Sequence, residues 1–223
     1  MARTALITGA SSLVGQAVAR GLAQAGYALA LHGHSNMAAI ETLAAELRAS
    51  GGEAALLQAD LADPLAAARL VPDATAAKGP LTLLVNAAIS SLPDSLLALD
   101  VPTWNRQFSV NIRAPSVLAG AFAAQLPAGR KGCILLRLDQ RRWQPAEANY
   151  SFSLSQAAMG NAVRTMARAL APGIRANAVA LGPDMTAAEQ LRQPLPGDQA
   201  ARLADAMLYL AQAQAVTGQV VLA

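Results

Sequence analysis

The chain has 223 residues, of which 54% are hydrophobic and 14% charged, with a formal net charge of +3 and one cysteine. That length buries one α/β core and falls short of two ordinary domains. The near-balanced charge offers no basic stripe for nucleic acid, and a lone cysteine excludes an internal disulfide framework. No apolar run is long enough to span a membrane, and Met1-Ala2-Arg3-Thr4 leads straight into a strand-like segment without a secretory leader. A cytoplasmic protein without membrane or nucleic-acid partners is expected.

Short apolar runs alternate with longer amphipathic stretches along the whole chain. Taken in order, strands are predicted at Thr4–Thr8, Ala28–Leu31, Ala54–Gln58, Leu81–Asn86, Cys133–Leu138, Ile174–Ala180 and Gln219–Leu222. Helices are predicted between them at Leu13–Ala25, Ala38–Ser50, Pro64–Ala76, Trp104–Leu126, Ser153–Ala171 and Asp198–Ala211. Pro and Gly fall between elements, at Gly51-Gly52, Gly79-Pro80, Pro127 to Gly129 and Gly182-Pro183. Such alternation predicts one doubly wound α/β domain of the Rossmann type over residues 1–223, with a seven-stranded parallel sheet and helices on both faces. Cys133 lies in an apolar run and reads as a buried thiol.

In that architecture ligands sit beyond the carboxyl ends of the strands, which here are Gly9, His32, Asp60, Asn86, Asp139 and Gly182. The first strand ends in Thr8-Gly9-Ala10-Ser11-Ser12-Leu13-Val14-Gly15 and opens directly into a helix. Glycines at this turn admit a pyrophosphate close to the backbone, and the helix N-terminus stabilises it. Two glycines alone are weak evidence, but further segments follow in order: Ala59-Asp60-Leu61, Leu84-Val85-Asn86-Ala87-Ala88, Val110-Asn111-Ile112, Asn177-Ala178-Val179-Ala180-Leu181-Gly182 and Thr217-Gly218-Gln219.

Together these segments resemble the short-chain dehydrogenase/reductase family over nearly the whole chain, and pteridine reductases in particular. Leu13 stands where the fingerprint has its middle glycine, Ala87 replaces the second Asn of the fourth-strand motif, and Leu181 replaces a Pro. The resemblance implies a dinucleotide held by Gly9, Ser11, Ser12, Leu13, Val14 and Gly15, with Asp60 and Leu61 at the adenine and Asn86, Ala87 and Gly182 further along. After the second strand, His32-Gly33-His34-Ser35-Asn36 offers neither the acid that binds NAD ribose hydroxyls nor an Arg. The stretch is similar to the His-x-His-Arg-Ser run of pteridine reductases. His34, Ser35 and Asn36 can hydrogen-bond a 2′-phosphate, which favours NADP(H) over NAD(H).

The family's catalytic pair is a Tyr and, four residues later on the same helix, a Lys that lowers the phenol pKa and holds the nicotinamide ribose. The matching positions here are Phe152, which has no proton to give, and Gln156, which carries no charge but can still reach a ribose. Thirteen residues before Phe152, where most members have a Ser, stands Asp139, as in pteridine and dihydropteridine reductases. In a water-poor cleft a neutral carboxyl can donate a proton, so Asp139 is the surviving acid–base candidate. Asn111 is implied to shape a helix kink and hold a water. Tyr150 substitutes for the missing phenol only if the helix starts after it. Arg141, Arg142 and Trp143 offer contacts to an anionic or planar substrate. No metal site is expected.

Two further departures are a short Gly182–Asp198 segment, where the family often has a longer lid, and an end at Val221-Leu222-Ala223 without the usual Asp-Gly-Gly tail. Helices Trp104–Leu126 and Ser153–Ala171 are rich in small residues, and the resemblance implies that they pair across a two-fold axis into a homodimer or homotetramer. Three readings remain open. The chain is an NADP(H)-dependent pteridine-reductase-like oxidoreductase acting on a small, pterin-like molecule, a non-catalytic nucleotide- or partner-binding member, or a non-redox lyase, isomerase or cyclase using Asp139 and Tyr150.

Overall fold

The computed structural model describes residues 3–139, 147–181 and 197–223. Seven strands form one sheet: β1 (Arg3–Thr8), β2 (Tyr27–Gly33), β3 (Ala54–Gln58), β4 (Leu83–Asn86), β5 (Gly132–Asp139), β6 (Ile174–Leu181) and β7 (Val220–Leu222). Their order is β3-β2-β1-β4-β5-β6-β7, and every pairing is parallel. The strand order reverses between β1 and β4, which opens a crevice at their carboxyl ends. The central strands read as continuous apolar runs because helices cover both faces; all eight residues of β5 are buried.

The helices are α1 (Leu13–Gln24), α2 (Met37–Ala49), α3 (Pro64–Lys78), α4 (Val101–Phe108), α5 (Ala114–Gln125), α6 (Tyr150–Ala169) and α7 (Gly197–Gln212). Side chains of α1, α2 and α7 pack with Ile7, Leu31, Val85 and Leu135 on one face of the sheet. Side chains of α3, α5 and α6 pack with Leu6, Leu84, Leu136 and Leu138 on the other. Cys133 is buried, and burial pushes its thiol up to about 11, so it stays protonated and apolar.

Two helices start three residues before the sequence pattern puts them, and one of these is interrupted; the other bounds agree within two residues. The stretch predicted as one helix over Trp104–Leu126 starts earlier and is broken by a π-helical turn at Ser109–Arg113. Pro115 has no N–H to give the preceding turn. Asn111 also turns inward, accepting from Ser90 N–H (2.8 Å) and donating to Ser90 O (2.9 Å) and Ser155 Oγ (2.9 Å). Helix α6 begins at Tyr150 rather than Ser153, because the buried Asp94 carboxylate accepts from Ser151 N–H at 3.0 and 3.3 Å and caps it from outside.

Candidate active site

The turn between β1 and α1 is built from inside the chain. Gly9 takes a positive φ of 66°, and a Cβ there would meet the backbone of Ala88 at 2.7 Å. A Cβ on Gly15 would collide with the Gly9 carbonyl oxygen, so only glycine lets α1 start this close to the strand. Ser12 caps the helix, with its Oγ accepting from Gly15 N–H at 3.0 Å and donating to Gly9 O at 2.8 Å.

Beneath the turn lies His32. Its Nδ1 accepts from Gly9 N–H at 3.3 Å, and its Nε2 is 3.1 Å from Ala59 O, a pairing that defines the neutral Nε2–H form. Burial lowers its pKa to about 4, against the smaller opposing pull of the Ala59 carbonyl.

This turn forms the middle of a cleft of about 310 Å³, a volume within the usual range for small-ligand sites. One end is walled by His34, Ser35, Asn36, Asp60, Leu61 and Arg106, the middle by Gly9, Ser11, Ser12, Leu13, Val14 and Ala87, and the inner end by Ser90, Ser91 and Arg137. Asp60 is the hub of the first end. It accepts from Ala62 N–H at 2.9 Å, pairs with Arg106 at 3.2 and 3.5 Å, and lies 3.6 Å from His34 Nε2. Burial works to raise its pKa, but the Ala62 N–H, Arg106 and His34 together hold the carboxyl below its ordinary value. Asn36 caps α2, its Oδ1 accepting from Ala39 N–H at 3.3 Å.

Eleven of the residues predicted to hold the nucleotide therefore share one wall: Gly9, Ser11, Ser12, Leu13, Val14, His34, Ser35, Asn36, Asp60, Leu61 and Ala87. Two others stand behind it. Gly15 is the packing glycine described above. Asn86 is buried between strands, its Oδ1 accepting from Thr8 Oγ1 at 2.5 Å, so its side chain ties β1 to β4. Gly182, Arg141, Arg142 and Trp143 lie outside the described residues.

The predicted catalytic group is arranged differently. Among the described residues walling the cleft, none of Asp139, Asn111, Tyr150, Phe152 and Gln156 appears. Phe152 is fully buried. Gln156, 1% exposed, turns its Oε1 to accept from the backbone N–H of Asp139 at 3.0 Å. Asp139 is buried at the last position of β5. Asn111 is engaged with Ser90 and Ser155, and Ser155 Oγ in turn donates to Phe152 O at 2.7 Å. Tyr150 opens α6, and its ring lies 6.4 Å from that of Trp104. The late helix start on which its catalytic use depends is thus absent.

Five polar residues of the wall are not among those the sequence pattern assigns to the nucleotide. Arg106 and His32 act through partners 46 and 27 residues away in the chain, which no local motif announces. Ser90 and Ser91 lie in an irregular segment. Arg137 did leave a signal, a charge inside the apolar run Cys133–Leu138 of a central strand.

Comparison with known proteins adds a family to this geometry. Residues 3–194 match the family model described as short chain dehydrogenase. A short chain dehydrogenase of Pseudocercospora fijiensis is 30% identical over 172 residues, 75% of this chain and 55% of that relative's own length. FolM alternative dihydrofolate reductase 1 from Brucella canis, solved in complex with NADP, is 34% identical and superposes with a TM-score of 0.89 over 99% of this chain and 91% of that one. A blue fluorescent protein from a metagenomic library, solved with NADPH, is 29% identical, with a TM-score of 0.87 over 99% and 95% of the two chains. No described helix is long and apolar enough to cross a membrane.

Proposed function

The chain belongs to the short-chain dehydrogenase/reductase family, and on that premise we propose that it is a cytoplasmic NADP(H)-dependent reductase of a small, pterin-like substrate with a rebuilt catalytic end. The observation that carries this reading is the cleft walled by His34–Asn36, the Gly9–Val14 turn and Arg137 of β5. Its parts fit a dinucleotide. The absence of a side chain at Gly15 lets α1 start against the end of β1, which sets its N-terminal turn on the cleft wall for a diphosphate, and His34, Ser35 and Asn36 offer polar groups to a 2′-phosphate. The NADP and NADPH complexes of the similar structures support the same cofactor.

When bound, NADPH supplies a hydride to the carbon of a C=N bond. The chain's part is to deliver the matching proton to the nitrogen, a role we assign to Asp139, the carboxyl at the last position of β5, two residues beyond Arg137 of the cleft wall. The carboxylate so formed recovers its proton from solvent. Phe152 serves as an apolar wall behind the site, and Gln156 holds Asp139 through its backbone. Asn111 fixes the π-helical turn and the Ser90 segment around the inner end. A groove of about 470 Å³ between α5 and α6, lined by Ala119, Gly120, Ala158, Ala162, Met166 and Leu170, supports a homodimer across these helices.

The commitment of Gln156 to a backbone N–H favours a second reading, a nucleotide-binding member that performs no hydride transfer. Thermal-shift titration with NADPH, followed by NADPH oxidation with a dihydropterin at high enzyme concentration, separates the two. A shift with turnover supports the reductase; a shift without turnover supports the second reading; no shift sinks both.

A further inference from the structure

The inner end of the cleft is closed by a cation on the central strand. Residues of β5 alternate between the two faces of the sheet. Cys133 and Leu135 pack with Val14, Val18 and Leu22 of α1, whereas Ile134, Leu136 and Leu138 pack with α3, α5 and α6. By that alternation Arg137 and Asp139 belong to the α1 face. The last paired residues of β4 and β5 are Asn86 and Leu136, so Arg137 stands one step beyond them, where the crevice opens. It is 8% exposed, yet it shares the cleft wall with Gly9, Ser11, Ser12, Leu13 and Val14.

A guanidinium remains charged wherever the fold puts it, and its planar fork matches paired phosphate oxygens. The other arginine on this wall, Arg106, pairs with Asp60 at the opposite end, beside His34. Leu13 at the mouth of α1 and Gln156 on α6 bring no charge to the inner half. The α1 N-terminus supplies only a partial positive charge, which falls off within its first turn.

We propose that Arg137 is an anion-binding residue of the cleft whose guanidinium takes the diphosphate of the bound dinucleotide from the β5 side, complementing the N–H groups of α1. The inference rests on the reading of the cleft as an NADP(H) site. It assigns the charge at this end to a strand residue in place of one on helix α6.

The test measures binding of NADPH and of adenosine 2′-monophosphate, which keeps the adenine and 2′-phosphate but has no diphosphate. Both are titrated by calorimetry into the unmodified protein, Arg137→Met and Arg137→Lys. Losing charged hydrogen bonds to the diphosphate is expected to weaken NADPH about 10- to 100-fold in Arg137→Met, and less in Arg137→Lys. Adenosine 2′-monophosphate is expected to bind all three proteins alike, which also reports that the variants are folded. NADPH binding that is unchanged or tighter in Arg137→Met overturns the proposal, since the side chain then only fills space. Equal weakening of both ligands overturns it too, because the residue then supports the fold. Should Arg137→Met not fold, NADPH affinity in Arg137→Lys equal to that of the unmodified protein is the overturning result. If the unmodified protein binds neither ligand, the NADP(H) reading itself fails and takes this inference with it.

Discussion

The side-chain oxygen of Gln156 accepts the backbone N–H of Asp139 at 3.0 Å, joining the first half of α6 to the last residue of β5. The position from which family members extend an ammonium toward the cofactor thus holds the strand end in place. Because the pair is buried, the amide of Asp139 has no water to turn to if Gln156 is removed.

That relationship makes the restoring substitution costly and informative. In Phe152→Tyr with Gln156→Lys, the lysine offers three donors and no acceptor, so the Asp139 N–H loses its partner. We expect a stability loss of about 1–3 kcal/mol, or roughly 2–12 °C in Tm. If the cleft still receives NADPH and substrate in register, reduction of a dihydropterin should rise, by at most about 10²–10⁴-fold, the full value of a general acid, and by less to the extent that Asp139 already supplies the proton. Stopped-flow NADPH oxidation and thermal melts measure the two effects. A double variant as slow as its parent would mean that the inner end no longer places a substrate beside the nicotinamide.

The architecture was legible because its signals are local. Buried parallel strands show as apolar runs, and the Gly9–Gly15 turn places its glycines where a Cβ collides with backbone. What stayed hidden depends on partners distant in the chain. The π-helical turn needs Asn111 to meet Ser90 and Ser155, and the start of α6 needs Asp94, 57 residues before Ser151. Arg106 acquires its place only from Asp60. Arg137 is different, since a charge inside a central strand is visible in the sequence; a period-two pattern simply assigns it a face without saying that the face opens onto a cleft. Of the five expected catalytic residues, Asn111 and Gln156 fell inside predicted helices, while Asp139, Tyr150 and Phe152 lay just outside the predicted strand and helix that include them; the direction of each side chain is a property of packing that spacing does not encode.

Gly15→Ala is expected to destabilise the protein by about 1–3 kcal/mol and to abolish measurable NADPH binding, because its Cβ must push α1 away from the Gly9 carbonyl. Gly51→Ala is the control: unlike Gly15 that residue has a positive φ, of 83°, and its Cβ would meet nothing within 4 Å, so only backbone strain of about 1–2 kcal/mol is expected, with nucleotide affinity intact. Chemical denaturation and calorimetry check both. Equal binding loss in the two variants would show that lowered stability as such, not the approach of α1 to β1, empties the cleft.

His32 makes stability fall on acidification. Its folded-state pKa of about 4 lies below the ordinary value of 6.5. Between these values the unfolded chain binds a proton that the folded one does not, so stability rises with pH across this window and is lost as pH drops from about 6.5 toward 4. The whole effect is on the order of 3 kcal/mol. A proton on Nδ1 also removes the acceptor used by Gly9 N–H, so nucleotide binding should weaken over the same range. His32→Asn should flatten the pH dependence of unfolding measured in urea between pH 4.5 and 7. An unchanged slope in that variant would assign the acid sensitivity to other groups.

Gly120 offers a direct probe of the α5–α6 groove. Within one chain nothing lies within 4 Å of a Cβ at this helical position, so larger residues are accommodated by the monomer. Replacing glycine with alanine in a helix interior is worth about 1 kcal/mol of stability. If two copies of α5 and α6 pack across a two-fold axis, Gly120 sits where the surfaces approach most closely, and each added atom appears twice at the interface. Gly120→Arg is therefore expected to leave the monomer folded while weakening dimerisation at least about 100-fold, since two unpaired guanidinium groups would be buried together. Sedimentation velocity over a range of micromolar concentrations reads this directly. A monomeric unmodified protein, or a Gly120→Arg variant that dimerises as tightly as its parent, would remove the α5–α6 face as the interface.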